Sequence, residues 1–383
     1  MQRRAWLAGC IAASLLSTTL VACTGGGSTQ AKALPTPNGS VSPGRGGSSP
    51  STSSARPKAR SAPTKVSVRP TALRLAKPRP AQPQPAQPQP VQSVGEVPPA
   101  SKGVVVNGAS IAGCPLFPAN NPWRQNISQS PLNVRSAAWV ASVGGAAFLH
   151  PDFGSDPSYG IPYSVVAANQ PKVKITFTDY GDESDPGPYP IPANARVEAG
   201  GDAHVLIASG DCHLYELYGA ARSGTGWTAQ SGAVFNLNTN ALRPAGWTSA
   251  DAAGLPILPG LVRFDEVQSG HIDHALRFTV AKTQRGYINP ATHQAGSTTN
   301  PNLPPMGARF RLKASFDLTP YRGEARVILQ CLKTYGMIVA DNGSNWYVSG
   351  ATDARWDDED LDQLKHVPGS AFEVADTGAV HTG

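Results

Sequence analysis

The stretch Ala308-Arg-Phe-Arg-Leu-Lys-Ala-Ser-Phe-Asp-Leu318 decides how this 383-residue chain is read. Phe310, Leu312, Ala314 and Phe316 alternate with Arg309, Arg311, Lys313 and Ser315. A period of two sets an apolar face toward a core and a basic face toward solvent, the pattern of a half-exposed strand. Residues 172–179 repeat it, with Val173, Ile175 and Phe177 opposite Lys174, Thr176 and Thr178. Residues 203–208 (Ala-His-Val-Leu-Ile-Ala) are apolar on both faces and predict a central strand. Residues 212–220, 232–237 and 272–281 read as further strands, the first aligning Cys212, Leu214, Glu216 and Tyr218 on one face. Asn342-Gly343 between the apolar runs 337–340 and 346–348 predicts a β-hairpin.

Helical signals are few. Val327, Ile328, Cys331, Leu332 and Tyr335 form one apolar stripe over 323–335, stopped by Gly336. Residues 358–366 carry acids in the first turn and Lys365 and His366 in the last, matching the helix dipole. Residues 136–143 suit a short helix. Thr248-x-x-Asp251 is a helix-start pattern that Gly254, Pro256 and Pro259 limit to about one turn. About ten short strands and two clear helices predict a mainly β chain, a β-sandwich or jelly-roll-like domain with two short peripheral helices. It is expected to fill residues 101–376 as one unit, followed by a disordered tail at 377–383.

Residues 24–100 are rich in proline, serine, alanine and glutamine and predict a disordered tether, on the order of 200 Å when fully extended. This segment carries ten basic residues and one acid, Glu96, and the leader adds Arg3 and Arg4. Residues 101–383 are therefore left at −5 within the formal +6 of the whole chain. The basic character belongs to the tether, so nucleic-acid binding by the domain has no support. The tether's own charge suits acidic wall polymer or lipid headgroups, and equally suits a self-repelling spacer.

Ahead of the tether, Arg3 and Arg4 precede an apolar run that ends at Leu20-Val-Ala-Cys23, the layout of a secretory signal over residues 1–22. Leu20-Val-Ala-Cys23 resembles the lipobox of bacterial lipoproteins. The resemblance implies cleavage before Cys23, lipidation of Cys23 and anchoring of residues 23–100 to a membrane. Thr24 is not the aspartate that marks inner-membrane retention in enterobacterial lipoproteins, which points to the outer membrane where one exists. The expected location is the cell envelope.

Beyond Cys23 three cysteines remain, Cys114, Cys212 and Cys331. Cys331 falls on the apolar stripe of 323–335, where a free thiol behaves as a small hydrophobe. By elimination the expected disulfide is Cys114–Cys212.

No HExxH, Walker loop or GxSxG is present, and Gly108-Ala-Ser-Ile-Ala-Gly113 lacks the second glycine of a nucleophile elbow. Asp179, Asp182, Glu183 and Asp185 cluster at a strand exit; Ca2+ is the ion such oxygens suit, with Asp179, Asp182 and Asp185 as ligands, and a solvated acidic turn is the plainer reading. Glu216 lies among apolar neighbours that raise a carboxyl's pKa toward general-acid range, unless Arg263 or Arg277 pairs with it. Asp202, Asp251 and His274 complete the candidate catalytic set, with a helix cap as the alternative for Asp251 and a core histidine for His274. Arg309 and Arg311 form a basic stripe for an anionic polymer, and Trp227 and Trp247 are candidates for stacking on sugar rings. His150-Pro-Asp152 is a loop His/Asp pair.

The blocks Cys114-Pro-Leu-Phe-Pro118, Thr248-Ser-Ala-Asp-Ala-Ala-Gly-Leu-Pro256 and Tyr335-Gly-Met-Ile-Val-Ala-Asp-Asn-Gly-Ser344 resemble those of a family of secreted bacterial proteins. The resemblance spans 113–372 and implies a single exported domain, without implying an activity. The expected function is a surface-tethered carbohydrate-active protein, a glycoside hydrolase using two carboxylates on an extracellular polysaccharide. The alternative is a non-catalytic lipoprotein that binds cell-wall polymer or glycan.

Overall fold

The computed structural model describes residues 110–382, all within the compact unit Ser93–Gly383. The leader 1–22, Cys23 and the tether 23–100 lie outside the described residues. In chain order the first strands are β1 (Ser110–Ile111), β2 (Cys114–Pro115), β3 (His150–Asp152), β4 (Tyr163–Val166) and β5 (Ile175–Phe177). Next come β6 (Val205–Ser209), β7 (His213–Tyr218), β8 (Ala221–Ser223), β9 (Gly226–Ala229) and β10 (Ser231–Asn236). The last are β11 (Leu276–Val280), β12 (Arg309–Leu312), β13 (Met337–Asn342), β14 (Tyr347–Ser349) and β15 (Phe372–Ala375). The helices are α1 (Ser136–Val143), α2 (Phe264–Gln268), α3 (Gly323–Thr334) and α4 (Asp358–Asp362). The chain is mainly β, in several sheets with few short helices.

A six-stranded sheet has the order β15-β12-β13-β11-β14-β3, and a four-stranded sheet the order β10-β7-β6-β4. A three-stranded sheet β5-β9-β8 and the pair β1-β2 complete the set. β6 is buried at every residue, as its sequence predicts. Its two faces serve two cores: Leu206 and Ala208 join the main core, Val205 and Ile207 the second. The four-stranded sheet therefore parts the cores. On its main-core side lie Phe278, Phe310 and Val348 of the six-stranded sheet and Ile328, Leu329 and Leu332 of α3. On the other side lie Ile175 of β5, Trp227 of β9, and Tyr189.

Several local expectations change. The run 308–318 pairs only over Arg309–Leu312, and Arg309 and Arg311 are buried at 2% and 7% exposure. Their face is covered by residues 122–130, whose carbonyls accept from the arginines. Arg309 donates to the carbonyls of Gln125 (2.9 Å), Pro122 (2.5 Å) and Tyr335 (2.8 Å). Arg311 donates to Ser130 O (2.8 Å), to Ile127 O and to Glu373 (2.8 Å). These arginines pin the irregular N-terminal segment to the sheet and present no stripe to an anionic polymer.

The expected hairpin over 337–348 is also replaced. β13 and β14 are not neighbours, because β11 lies between them, parallel to β13 and antiparallel to β14. His150–Asp152, expected as a loop, is an edge strand parallel to β14. Residues 248–251 form no helix. The expected disordered tail 377–383 is docked over its described part: Tyr287 and His381 exchange backbone hydrogen bonds of 2.9 and 2.8 Å, and their rings stack at 5.2 Å.

The disulfide Cys114–Cys212 forms as expected and joins β2 to the turn before β7. Cys331 is free and buried. Among the described residues no helix is long and apolar enough to cross a membrane.

Candidate functional site

A cavity of about 660 Å³ opens where the four- and six-stranded sheets meet. Strand alternation delivers its walls. In β11, Leu276, Phe278 and Val280 enter the core, so Arg277 and Thr279 point to the cavity. Tyr347 and Ser349 of β14 and Asp152 of β3 lie beside them, in register as Ser349 opposite Asp152. Asp341 comes from the end of β13. Asp202 and His204 lead into β6, Tyr218 ends β7, and Glu198, Asp251 and His293 come from connections.

Two cations are locked in this wall. Arg277 donates through Nε (3.1 Å) and Nη2 (2.9 Å) to Asp251 Oδ2 and through Nη1 to Ser349 Oγ (2.7 Å). His204 has an acceptor at each ring nitrogen, Glu198 at 2.5 Å on Nδ1 and the Ala250 carbonyl at 3.0 Å on Nε2. Only an imidazolium donates at both positions. Burial acts to lower its pKa, but the Glu198 hydrogen bond and charge prevail and hold it above the ordinary value. Glu198 is lowered in turn: burial raises it, and His204 outweighs that.

Three carboxylates of the cavity, Asp152, Asp202 and Asp341, have no ion pair among the described residues. Burial raises the pKa of Asp152 and of Asp341, with Arg277 opposing in both cases. Tyr218 is raised by burial and then by the charges of Asp202 and Asp341. His293 donates from Nδ1 to the Ala252 carbonyl at 2.7 Å. Tyr159 and Tyr180 stand at the rim, 56% and 46% exposed.

Of the sequence-predicted catalytic residues, Asp202 and Asp251 line the cavity, and Glu216 and His274 do not. Glu216 is fully buried and accepts the N–H groups of Ile257 (2.8 Å) and Leu258 (2.9 Å). Burial pushes it up to about 7 against those two bonds. Neither expected arginine pairs with it, since Arg277 holds Asp251 and Arg263 holds Glu266. His274 is buried between the Ala275 carbonyl (2.8 Å) and Glu266 (3.1 Å). Asp251 caps no helix; burial pushes its carboxyl up to about 7 against Arg277.

The other predicted contacts disperse. Asp185 binds Arg243 and accepts the Val234 N–H at 2.8 Å, Asp179 accepts from Thr178 at 2.8 Å, and Asp182 is exposed. Among the described residues no three metal-capable side chains gather, so the expected Ca2+ site does not assemble. Trp227 is buried in the second core under Arg222 (4.6 Å), and the half-buried Trp247 packs by Arg243 (5.6 Å). Neither tryptophan lines the cavity. Glu198, Asp341, His293 and the four tyrosines were not expected at a site, and Arg277 was expected only as a partner of Glu216. Arg277 alone had a visible signal, a charge in an otherwise apolar strand.

Compared with family models, with curated proteins and with solved structures, the chain matches none.

Proposed function

We propose that this is a surface-tethered glycoside hydrolase whose cavity takes a neutral or amine-bearing polysaccharide. Asp341 and Asp152 are the candidates for the proton-donating acid and Asp202 for its carboxylate partner. The observation that carries this reading is the coexistence, in one tyrosine-rimmed cavity, of two carboxyls raised by burial and a third that is exposed and free of any ion pair. Carboxyls in unlike environments divide into acid and base or nucleophile. The cavity's cations are already engaged by Asp251 and Glu198, so a uronate or sulfated chain would meet uncompensated negative charge. This replaces the anionic ligand expected from Arg309 and Arg311.

The envelope location belongs to the same proposal, supported by Leu20-Val-Ala-Cys23 and the Pro-rich tether. So does the sandwich architecture, with the four- and six-stranded sheets as its layers. Parallel pairings such as β11 with β13 and β4 with β6 set it apart from an all-antiparallel jelly roll.

The test is release of reducing ends from a panel of neutral, amine-bearing and acidic polysaccharides. Turnover on the first two classes, lost in Asp341→Asn or Asp152→Asn with folding intact, is the expected result. Binding without turnover on any substrate supports a non-catalytic glycan-binding lipoprotein instead. Turnover confined to acidic chains overturns the charge argument.

A further inference from the structure

A second cavity, of about 380 Å³, adjoins the first. Its walls include His150, Phe153, Asp358 and Lys365, and it shares Tyr159 with the large cavity. β3 runs past both cavities. Asp152 faces the large cavity, while His150 lines the second and stacks on Tyr347 of the first with ring centroids 4.1 Å apart. Tyr159 therefore borders two openings, more than half exposed, with no side-chain hydrogen bond among the described residues.

The loop that carries Tyr159 is held from several directions. Its carbonyl accepts from Thr352 Oγ1 (2.9 Å), and the Ile161 N–H donates to Gly350 O (3.0 Å). Asp358 accepts from the Ser155 N–H (2.9 Å) and hydroxyl (2.6 Å). Gly160 has φ +78°, and a Cβ there would stand 2.9 Å from the Gly350 carbonyl oxygen. A side chain at that position would push the loop off the sheet. An exposed aromatic ring on a rigid mount binds with little ordering cost, and its face suits the C–H surface of a pyranose ring.

We infer that the ligand is a linear glycan chain that runs from the large cavity across the Tyr159 ring into the second cavity, so the protein recognises polymer and not single sugars. This rests on the glycan reading above and adds the length of the chain and the residue over which it passes. The second cavity is also predominantly acidic, with Asp156, Asp358 and Asp362 against Lys365, so the whole path suits the same neutral or amine-bearing class.

Calorimetric titration of the exported chain with glucose, N-acetylglucosamine and glucosamine oligomers of one to six β-1,4-linked units tests the inference. Affinity for at least one series should rise with length. Tyr159→Ala should weaken the longest oligomers roughly tenfold, the scale of one aromatic contact, and weaken the monomer by clearly less. Tyr159→Phe should retain the wild-type length dependence. Affinity that is flat from one to six units, or an equal loss at all lengths in Tyr159→Ala, overturns the extended site and leaves the glycan reading standing. No binding in any series overturns both.

Discussion

Glu216 provides the sharpest test, because its burial predicts a pH effect of known sign. Its carboxyl ordinarily titrates near 4.5 and is pushed up to about 7 in the fold. Between those values the folded domain holds a proton that the unfolded chain has released, so stability falls as pH rises. At 1.36 kcal/mol per pH unit, the full effect is about 3 kcal/mol. It is present below pH 4.5 and lost as pH passes through about 7. Asp251, also near 7, and the imidazolium of His204 add slopes of the same sign. Urea unfolding of the domain at intervals from pH 5 to pH 8 measures the slope directly. Glu216→Gln should flatten it. The amide oxygen accepts only one of the two N–H groups from Ile257 and Leu258, which costs about 1–3 kcal/mol at pH 5. A stability that is flat or rising over this range refutes the buried-proton argument. So does a Glu216→Gln variant with unchanged stability and slope; if that variant had also lost turnover, Glu216 would return as a catalytic acid.

Two further outcomes follow from the covalent chemistry of the chain. The disulfide spans 98 residues, so replacing Cys114 and Cys212 by alanine should cost about 5 kcal/mol in the chain-entropy model. The corresponding fall in Tm is on the order of 10 °C, and a loss under about 1 kcal/mol by urea titration would show that the link constrains little. Mass spectrometry of the protein from bacterial membranes should find an acylated N-terminal Cys23, and Cys23→Ser should lose the acyl mass and keep the leader uncleaved; a wild-type product without acyl mass would refute the lipid anchor.

Elements whose apolar pattern is complete within the sequence were legible. β6 is apolar on both faces and serves two cores, α3 shows its stripe, and α1 falls at the residues expected. Legibility failed where the partner of a face is distant in sequence. In β12, Arg309 and Arg311 alternate with buried residues and so read as exposed, because nothing local reveals that residues 122–130 cover them. That cover is irregular, and its carbonyls at Pro122, Gln125, Ile127 and Ser130 turn toward the two guanidinium groups. Asp341 read as the shoulder of a hairpin turn because strand order is not written in periodicity, and β11 inserts between β13 and β14. At the cavity, Asp202 and Asp251 were visible as polar residues close to apolar segments. Glu216 was visible for the same reason, but it is sealed under the Ile257 and Leu258 N–H groups, and on β7 it is Tyr218, two residues on, that reaches the cavity.

The segment 250–252 explains how a cavity with so much charge holds its shape. Each of its three residues is tied by a different long-range side chain. His204, at the entry of the four-stranded sheet, donates to the Ala250 carbonyl. Arg277, from the six-stranded sheet, grips the Asp251 carboxylate, and His293 donates to the Ala252 carbonyl. Asp251 also accepts the Ala253 N–H at 3.0 Å, which turns the chain at the place where its sequence resembles a helix start. The two sheets are thus keyed together through three consecutive residues at the cavity wall. Buried pairs of this kind add little net stability over apolar packing, but removing one partner costs about 3–5 kcal/mol. They suit a wall that must keep one geometry. Arg277 and His204 spend their charge on that wall, so the field inside the cavity is set by the carboxylates left over, Asp152, Asp202 and Asp341. A ligand that enters must supply hydroxyl or ammonium donors to them, and that requirement, more than any single residue, restricts the chemistry the site can accept.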